Sequence, residues 1–306
     1  MPRLSECGLV NLIYLFIFIR NTTESNLPMK KLAVLTLLTS IFFANCETEQ
    51  KQTPTNNKVS DVQKTQTSVV PAADTIASAT PSEIIERKQV PILCYHRIEN
   101  KNTSSDYTVS ISAFKEQMKL LADSGYHTIL PDQLFDYLTK GKPLPSKPVM
   151  LTFDDTRVEH HTIAAPEMEK YGFRGVYFVM TIPIGRPNYM TSEQIKDLSD
   201  RGHVIGSHTW DHHNVKQLKG ADWIAQIEKP SQRIQSITGK PVLYFAYPFG
   251  VWNDTAVSEI KKYSFKSAFQ LTGKRSPTDP LLTIRRTLVP GSWPTSKLLK
   301  RMEGMF

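Results

Sequence analysis

From Val90 onward the chain alternates short apolar runs with stretches of helical spacing, and this alternation constrains its fold more than any other feature. The runs at 90–96, 127–130, 149–153, 175–179, 203–207, 243–247 and 267–269 are short enough to read as buried strands. Between them, residues 112–125 carry Phe114, Met118, Leu121 and Ala122 at helical spacing and close on Gly125. Residues 131–139, 164–171, 192–200 and 221–238 read as further helices, with Pro230 a candidate kink in the last. Strands alternating with helices predict a parallel sheet covered by those helices. About seven such repeats point to a distorted, incomplete (β/α) barrel of parallel strands, with an open doubly wound sheet as the alternative. In a barrel, reactive residues belong at the C-terminal ends of strands. Asp154, Asp155, His208 and Tyr247 all stand where an apolar run gives out.

Two short strings carry the chemistry: Thr152-Phe153-Asp154-Asp155 and His208-Thr209-Trp210-Asp211-His212. Together they offer an oxygen ligand, two nitrogen ligands and a spare acid. Three protein ligands with an open fourth position suit a catalytic metal, whereas structural zinc sites use four ligands, usually rich in cysteine. The spare carboxylate is then a base for water activated at the metal. An Asp-Asp pair taken alone is more often a turn or a helix cap. Here it closes a five-residue apolar strand, where a polar pair needs another reason. The zinc-protease pattern is excluded, because Thr209 stands where that motif requires glutamate. His213 adjoins His212, and spacing does not choose between them. His160 and His161 read as structural or solvent-facing, and His127 and His203 as core or edge histidines. The reading is a metal-dependent hydrolase with one divalent metal, zinc by preference, though Asp-His-His also accepts cobalt, nickel or iron.

The front of the chain differs in kind. Residues 1–46 read as a leader: Met29-Lys30-Lys31, an apolar run from Leu32 to Ala44, then Cys46. A basic start, a short apolar stretch and a small-residue site describe a secretory signal too short for a membrane span. Leu9–Ile19 is a second apolar run, and the simplest account of the redundancy is translation from Met29. Residues 47–89, rich in Gln, Thr, Asn, Ser, Ala and Pro and without an aromatic residue, read as a flexible linker. The folded domain is expected over 90–306. It contains one of the three cysteines, Cys94, so no disulfide forms within it. The net charge of +8 is spread out with no basic stripe, which argues against a nucleic-acid partner.

Four stretches resemble the polysaccharide deacetylases, carbohydrate esterase family 4 with the NodB homology fold. They are Tyr95-His96-Arg97-Ile98, Leu151-Thr152-Phe153-Asp154-Asp155, Gly206-Ser207-His208-Thr209-Trp210-Asp211-His212 and Phe245-Ala246-Tyr247-Pro248-Phe249-Gly250, in the family's order across residues 90–292. The Tyr-His start and the Phe-x-Tyr-Pro-x-Gly string are most similar to the branch acting on poly-N-acetylglucosamine. The resemblance implies Asp154 as general base and Asp155, His208 and His212 as ligands of one zinc. It implies His96 as general acid, Arg286 as the residue orienting the base, and Tyr247 and Phe249 at the substrate and oxyanion. It further implies an acetylated glycan as substrate. Cys46, ending Phe43-Ala44-Asn45-Cys46, resembles a lipoprotein acylation site, implying an exported, membrane-anchored envelope protein. Two departures stand out: Thr156 replaces the family's glycine after the aspartates, implying a reshaped loop, and Ala246 replaces an arginine found in many members. A non-catalytic glycan-binding lipoprotein and a deacetylase of another acetylated sugar are the alternatives.

Overall fold

The computed structural model describes residues 78–100, 105–271 and 273–304, all inside the unit Pro71–Phe306. The leader, the acylation site and most of the linker lie outside the described residues. Within the stretch read as linker, Pro81–Glu86 forms helix α1, capped by Thr80 and Glu83, and buries Ile84. No helix among the described residues is long and apolar enough to cross a membrane.

The central strands are those expected from the apolar runs. β1 (Ile92–Tyr95) is followed by a small parallel pair, β2 (Arg97–Glu99) and β3 (Thr108–Ser110). Helix α2 (Ile111–Asp123), β4 (His127–Thr128), α3 (Pro131–Lys140) and β5 (Pro148–Asp154) come next. Then follow α4 (Ala165–Glu169), β6 (Val176–Val179), α5 (Ser192–Asp200), β7 (Val204–Ser207), α6 (Lys229–Thr238) and β8 (Tyr244–Ala246). Helix α7 (Asp254–Ile260), β9 (Ser267–Gln270), β10 (Ile284–Arg285), β11 (Thr287–Leu288) and α8 (Thr295–Glu303) complete the order.

The main sheet runs β10-β9-β8-β7-β6-β5-β1-β11, with every pairing parallel. These eight strands make a nearly closed barrel with one unsealed seam. Six of the seven apolar runs supply strands of this path, the run at 127–130 giving β4, which pairs with β5 off it; β10 and β11 are two residues each and carry no run to read. Their placement is informative: β10 pairs with β9, β11 pairs with β1, and Arg286 alone separates them. A single passage of chain therefore holds both edges of the seam, and Arg286 sits at the crossing.

Strand alternation sorts the side chains into two faces. Ile92, Met150, Val176, Phe178, Tyr244, Ala246, Phe269 and Ile284 fill one apolar cluster, joined by Ile84, Leu134 and Leu138. Leu93, Tyr95, Leu151, Phe153, Tyr177, Val179 and Ile205 occupy the opposite face and pack on Phe114, Met118, Leu121, Met168, Leu198, Ile234 and Leu298 from the helices. A third cluster places Phe245 and Tyr247 against Trp223, Val257 and Ile260. The parity of Ile92 and Met150 is also that of Cys94 and His96, and of Thr152 and Asp154, which carries those polar groups toward the strands' C-terminal ends.

Candidate active site

Asp154 ends β5 and is 1 % exposed. Its two oxygens accept from the two terminal nitrogens of Arg286, Nη1 to Oδ1 at 2.7 Å and Nη2 to Oδ2 at 2.7 Å. Arg286 Nη1 also donates to Thr152 Oγ1 at 3.2 Å, and the guanidinium stands 5.2 Å from the Phe178 ring centre. Burial pushes the Asp154 carboxyl up, but Arg286 and then His208 outweigh it and hold it well below the usual carboxylate range. Oδ2 is also the meeting point of other groups: His96 Nε2 lies 4.0 Å away, His208 Nε2 3.9 Å, and the Cys94 thiol 3.5 Å.

Asp155 turns the other way. Its backbone is left-handed at φ 79°, and Oδ1 lies 3.6 Å from His208 Nε2 and 3.6 Å from His212 Nε2. The donor atoms of these three residues lie within 4.8 Å of one another. Two ligands on one tetrahedral zinc stand roughly 3.4 Å apart, so the spacing fits a shared metal. The unmade bonds point the same way: Asp155 Oδ1 and His208 Nε2 are both buried without a hydrogen-bond partner. His208 Nδ1 lies 2.8 Å from the Ala246 carbonyl, where it donates, which leaves the Nε2 lone pair free. Burial lowers the pKa of His208 to about 3 and also lowers that of His212, so both rings stay neutral at neutral pH, as metal ligands must be. Burial raises the Asp155 carboxyl and outweighs the opposing pull of His96, Arg97 and Arg157.

Local sequence explains how the histidines arrive there. Gly206 lets β7 pass close under its neighbours, since a Cβ on it would stand 2.6 Å from Phe178 Cδ1 and 2.8 Å from the Tyr244 carbonyl. After β7, Thr209 and His212 both take positive φ, 67° and 68°, and Thr209 Oγ1 accepts from His212 N at 3.0 Å. Gln226, on a π-helical turn over Ile224–Glu228, accepts from Trp210 N at 3.2 Å and anchors the same loop. His212 is the member of the His212-His213 pair that meets Asp155; His213 is exposed.

His96 is 8 % exposed, and burial lowers its pKa against the opposing pull of Asp154 and Asp155. His160 lies on a second π-helical turn, His160–Ala164, fully buried, with Nε2 donating to the His96 carbonyl at 2.5 Å. His161 meets Asp197 at 2.9 Å, and His203 accepts from Gly175 N and meets Glu169, so these histidines are structural. Phe249 stands at φ 59°, 58 % exposed, its ring 4.4 Å from that of His212. Tyr247 requires a correction. Its ring is fully buried edge-on to Phe245 in the third apolar cluster, so a substrate contact has no exposed side-chain atom to rest on. Thr156 takes the left-handed backbone itself, φ 60°, with its hydroxyl donating to the Met180 carbonyl at 2.9 Å.

The sequence reading missed Cys94 as a neighbour of Asp154, though its spacing of two from His96 put both on one strand face. It missed Gln226 and Tyr107 as well; no local pattern marks either. A cavity of 910 Å³ lined by Val90, Tyr126, Tyr137, Pro148 and Leu299 lies at the strands' N-terminal ends, away from this chemistry.

Known proteins share this fold and parts of this sequence. Residues 141–268 match the family model described as polysaccharide deacetylase. The Bacillus subtilis protein YxkH is 29% identical over 178 residues, 58% of this chain and 63% of its own length. The poly-β-1,6-N-acetyl-D-glucosamine N-deacetylase of Staphylococcus aureus is 27% identical over 240 residues, 69% of this chain and 82% of that protein. Among solved structures, IcaB from Ammonifex degensii superposes with a TM-score of 0.60 at 29% identity, covering 69% of this chain and 97% of its own. The Streptococcus pyogenes deacetylase PplD, solved with acetate, shares the fold with a TM-score of 0.64 at 24% identity, covering 70% and 97%. Over residues 141–268 the chain is thus similar to the polysaccharide deacetylases, and it shares the fold of IcaB.

Proposed function

We propose that the chain removes N-acetyl groups from N-acetylglucosamine units of an envelope or exported polysaccharide, with one divalent metal held by Asp155, His208 and His212. The observation that carries this reading is the pair of buried, unpartnered atoms Asp155 Oδ1 and His208 Nε2, standing beside an Asp154 carboxylate gripped by Arg286. When bound, the metal supplies a Lewis acid that polarises the acetyl carbonyl and brings the pKa of water toward neutrality. Zinc is the metal of choice for this donor set.

The protein's own residues do the rest. Asp154 is ionised across the working range and takes a proton from the attacking water. Arg286 fixes both of its oxygens, so the base cannot rotate away. His96 Nε2 stands 4.0 Å from Asp154 Oδ2, close enough to receive that proton and deliver it to the leaving amine. Its lowered pKa makes it a ready donor once charged. The amide C–N bond breaks, leaving acetate and a free glucosamine amine. Phe249 offers its backbone N–H to the developing oxyanion, a contribution worth roughly 3 kcal/mol for a preorganised donor.

The Staphylococcus aureus relative acts on poly-N-acetylglucosamine, which supports that substrate class. The leader ending at Cys46 supports export and a lipid anchor. Acetate release by the zinc-loaded chain from N-acetylglucosamine oligomers and peptidoglycan, beside an Asp154→Asn control, tests the reading. Release that vanishes in the control is expected; no release from metal-replete protein on any acetylated glycan overturns it.

A further inference from the structure

Cys94 stands at the reacting centre, and the proposed mechanism gives it no task. It is wholly buried, yet among the described residues it belongs to none of the three apolar clusters. A buried cysteine that only fills space points into apolar neighbours. This one points at the base. β1 pairs with β5 so that Cys94 lies opposite Thr152, two residues before Asp154, and its Sγ stands 3.5 Å from Asp154 Oδ2. His96 turns both ring nitrogens to the same place, Nδ1 4.0 Å from Cys94 Sγ and Nε2 4.0 Å from Asp154 Oδ2. The Tyr107 ring steadies His96 edge-on, centroids 5.2 Å apart. One donor atom from each of the three residues lies within 4.8 Å of the other two.

These spacings are those of a ligand set. A sulfur and a nitrogen or oxygen on one tetrahedral zinc stand roughly 3.6 Å apart, so small side-chain movements close the three donors on an ion. The set shares no residue with Asp155, His208 and His212, and it differs in kind. Its sulfur suits zinc and thiophilic ions such as copper(I) and cadmium, whereas the oxygen-nitrogen set accepts harder divalent ions as well. Asp154 Oδ2 accepts from Arg286 Nη2 and retains a second lone pair for a metal. His96, 8 % exposed, gives the ion its way in. We infer that Cys94, His96 and Asp154 form a second, inhibitory metal site, filled by zinc or a softer ion once the Asp155-His208-His212 position is occupied. On binding, the Cys94 S–H bond breaks, a sulfur–metal bond forms and the proton leaves to solvent. The inhibition rests on the proposed reading, because the ion engages the residues named there as base and acid. Asp154 then cannot accept the proton of water, and His96 cannot protonate the leaving amine. Excess metal switches off the activity that the first ion confers.

Cadmium and zinc titrations of the full chain test this, because a cadmium–thiolate bond absorbs in the ultraviolet whether or not the protein turns over. With the first site filled by zinc, added cadmium should raise that absorption in the wild type and leave it smaller by one thiolate in Cys94→Ser. The difference separates Cys94 from Cys7 and Cys46. Acetate release from N-acetylglucosamine oligomers should climb as the first zinc ion binds, then fall about a hundredfold or more as the second takes the base. Cys94→Ser should reach the same maximum and hold it through excess zinc. Cys94→Ala should do the same, and it serves in place of the serine variant if that one does not fold. Absorption identical in the wild type and the variants, or release that falls equally in all of them with excess zinc, overturns the inference. A Cys94-dependent absorption with undiminished release overturns it as well, since a site that inhibits nothing is not the one inferred. A Cys94-dependent absorption with no release at any zinc concentration keeps the metal site and sinks the deacetylase reading.

Discussion

Arg286 and Asp154 form a two-pronged pair inside the barrel, with both contacts at 2.7 Å and the Arg286 side chain wholly shielded from solvent. The pair also spans the seam, because Arg286 separates the strand that pairs with β9 from the one that pairs with β1. Its backbone N–H donates to the Gln270 carbonyl at 3.0 Å, while Val289 N donates to that of Cys94 at 3.0 Å. One residue thus joins the barrel's edges and sets the candidate base.

Removing one partner leaves a buried charge uncompensated, which costs about 3–5 kcal/mol. Arg286→Met is therefore expected to lose that much in urea denaturation at neutral pH. Arg286→Lys should fall between, since an ammonium cannot match both oxygens. The pH dependence has a definite sign. In the wild type the depressed Asp154 pKa contributes stability that is present above the ordinary carboxylate value and is lost only as pH falls through the depressed one. In Arg286→Met the carboxyl is buried without its cation and its pKa rises, so the deficit should shrink on acidification. A deficit that is the same at every pH would show that Arg286 acts through packing alone.

Metal binding is expected to appear as stability before it appears as turnover. Asp155 Oδ1 and His208 Nε2 have no partner in the folded protein, so a cation that satisfies them binds the native state selectively. At free zinc one hundred times Kd, the gain is about 2.7 kcal/mol. Differential scanning calorimetry should show the melting temperature rising with zinc and returning on chelation, with activity following. His208→Ala should lose both responses. A wild-type melting temperature indifferent to zinc would count against the three-residue site.

Much of this was readable from the chain itself. The apolar runs located the long strands because burial on both faces demands continuous hydrophobic stretches. The site residues stood out because polar pairs end those runs. Other parts left no local trace. β10 and β11 are too short to form a pattern, and α1 is a single turn and a half whose one buried residue is Ile84. Tyr247 reads as a site residue by position, yet the strand's alternation sends its ring into the apolar cluster beside Phe245. By spacing alone His160 reads as structural or solvent-facing. Its contact with the His96 carbonyl joins residues 64 positions apart, which spacing cannot reveal.

Thr156 holds a backbone conformation that glycine takes freely, at φ 60°. A β-branched residue there stores strain of about 1–3 kcal/mol, offset by the buried bond from its hydroxyl to the Met180 carbonyl. Thr156→Gly relieves the first and loses the second, so its stability should lie within about 1 kcal/mol of the wild type. Thr156→Val keeps the strain and leaves the carbonyl unmet, and should lose about 1–3 kcal/mol. Acetate release should survive in Thr156→Gly. A large gain in turnover there would mean that Thr156 restrains the site, which is what a weakened enzyme or a binding protein would show.

His160 gives the fold an acid-sensitive component. It is fully buried, with Nε2 donating to the His96 carbonyl and Nδ1 without a partner. Burial lowers its pKa from 6.5 to about 4. Between those values the unfolded chain binds a proton that the folded one refuses, so stability rises with pH across that window and falls on acidification. The amount for this one group is roughly 3 kcal/mol. His96, His203, His208 and His212 shift in the same direction and add to the slope. His160→Gln retains an N–H donor for the His96 carbonyl but does not titrate. Denaturation at pH values across the window should therefore give a shallower slope for this variant, while acetate release at neutral pH stays near the wild type. His160→Leu should flatten the slope equally and lose activity, since nothing then holds the His96 backbone. Equal slopes in the wild type and His160→Gln would place the acid sensitivity on the other histidines.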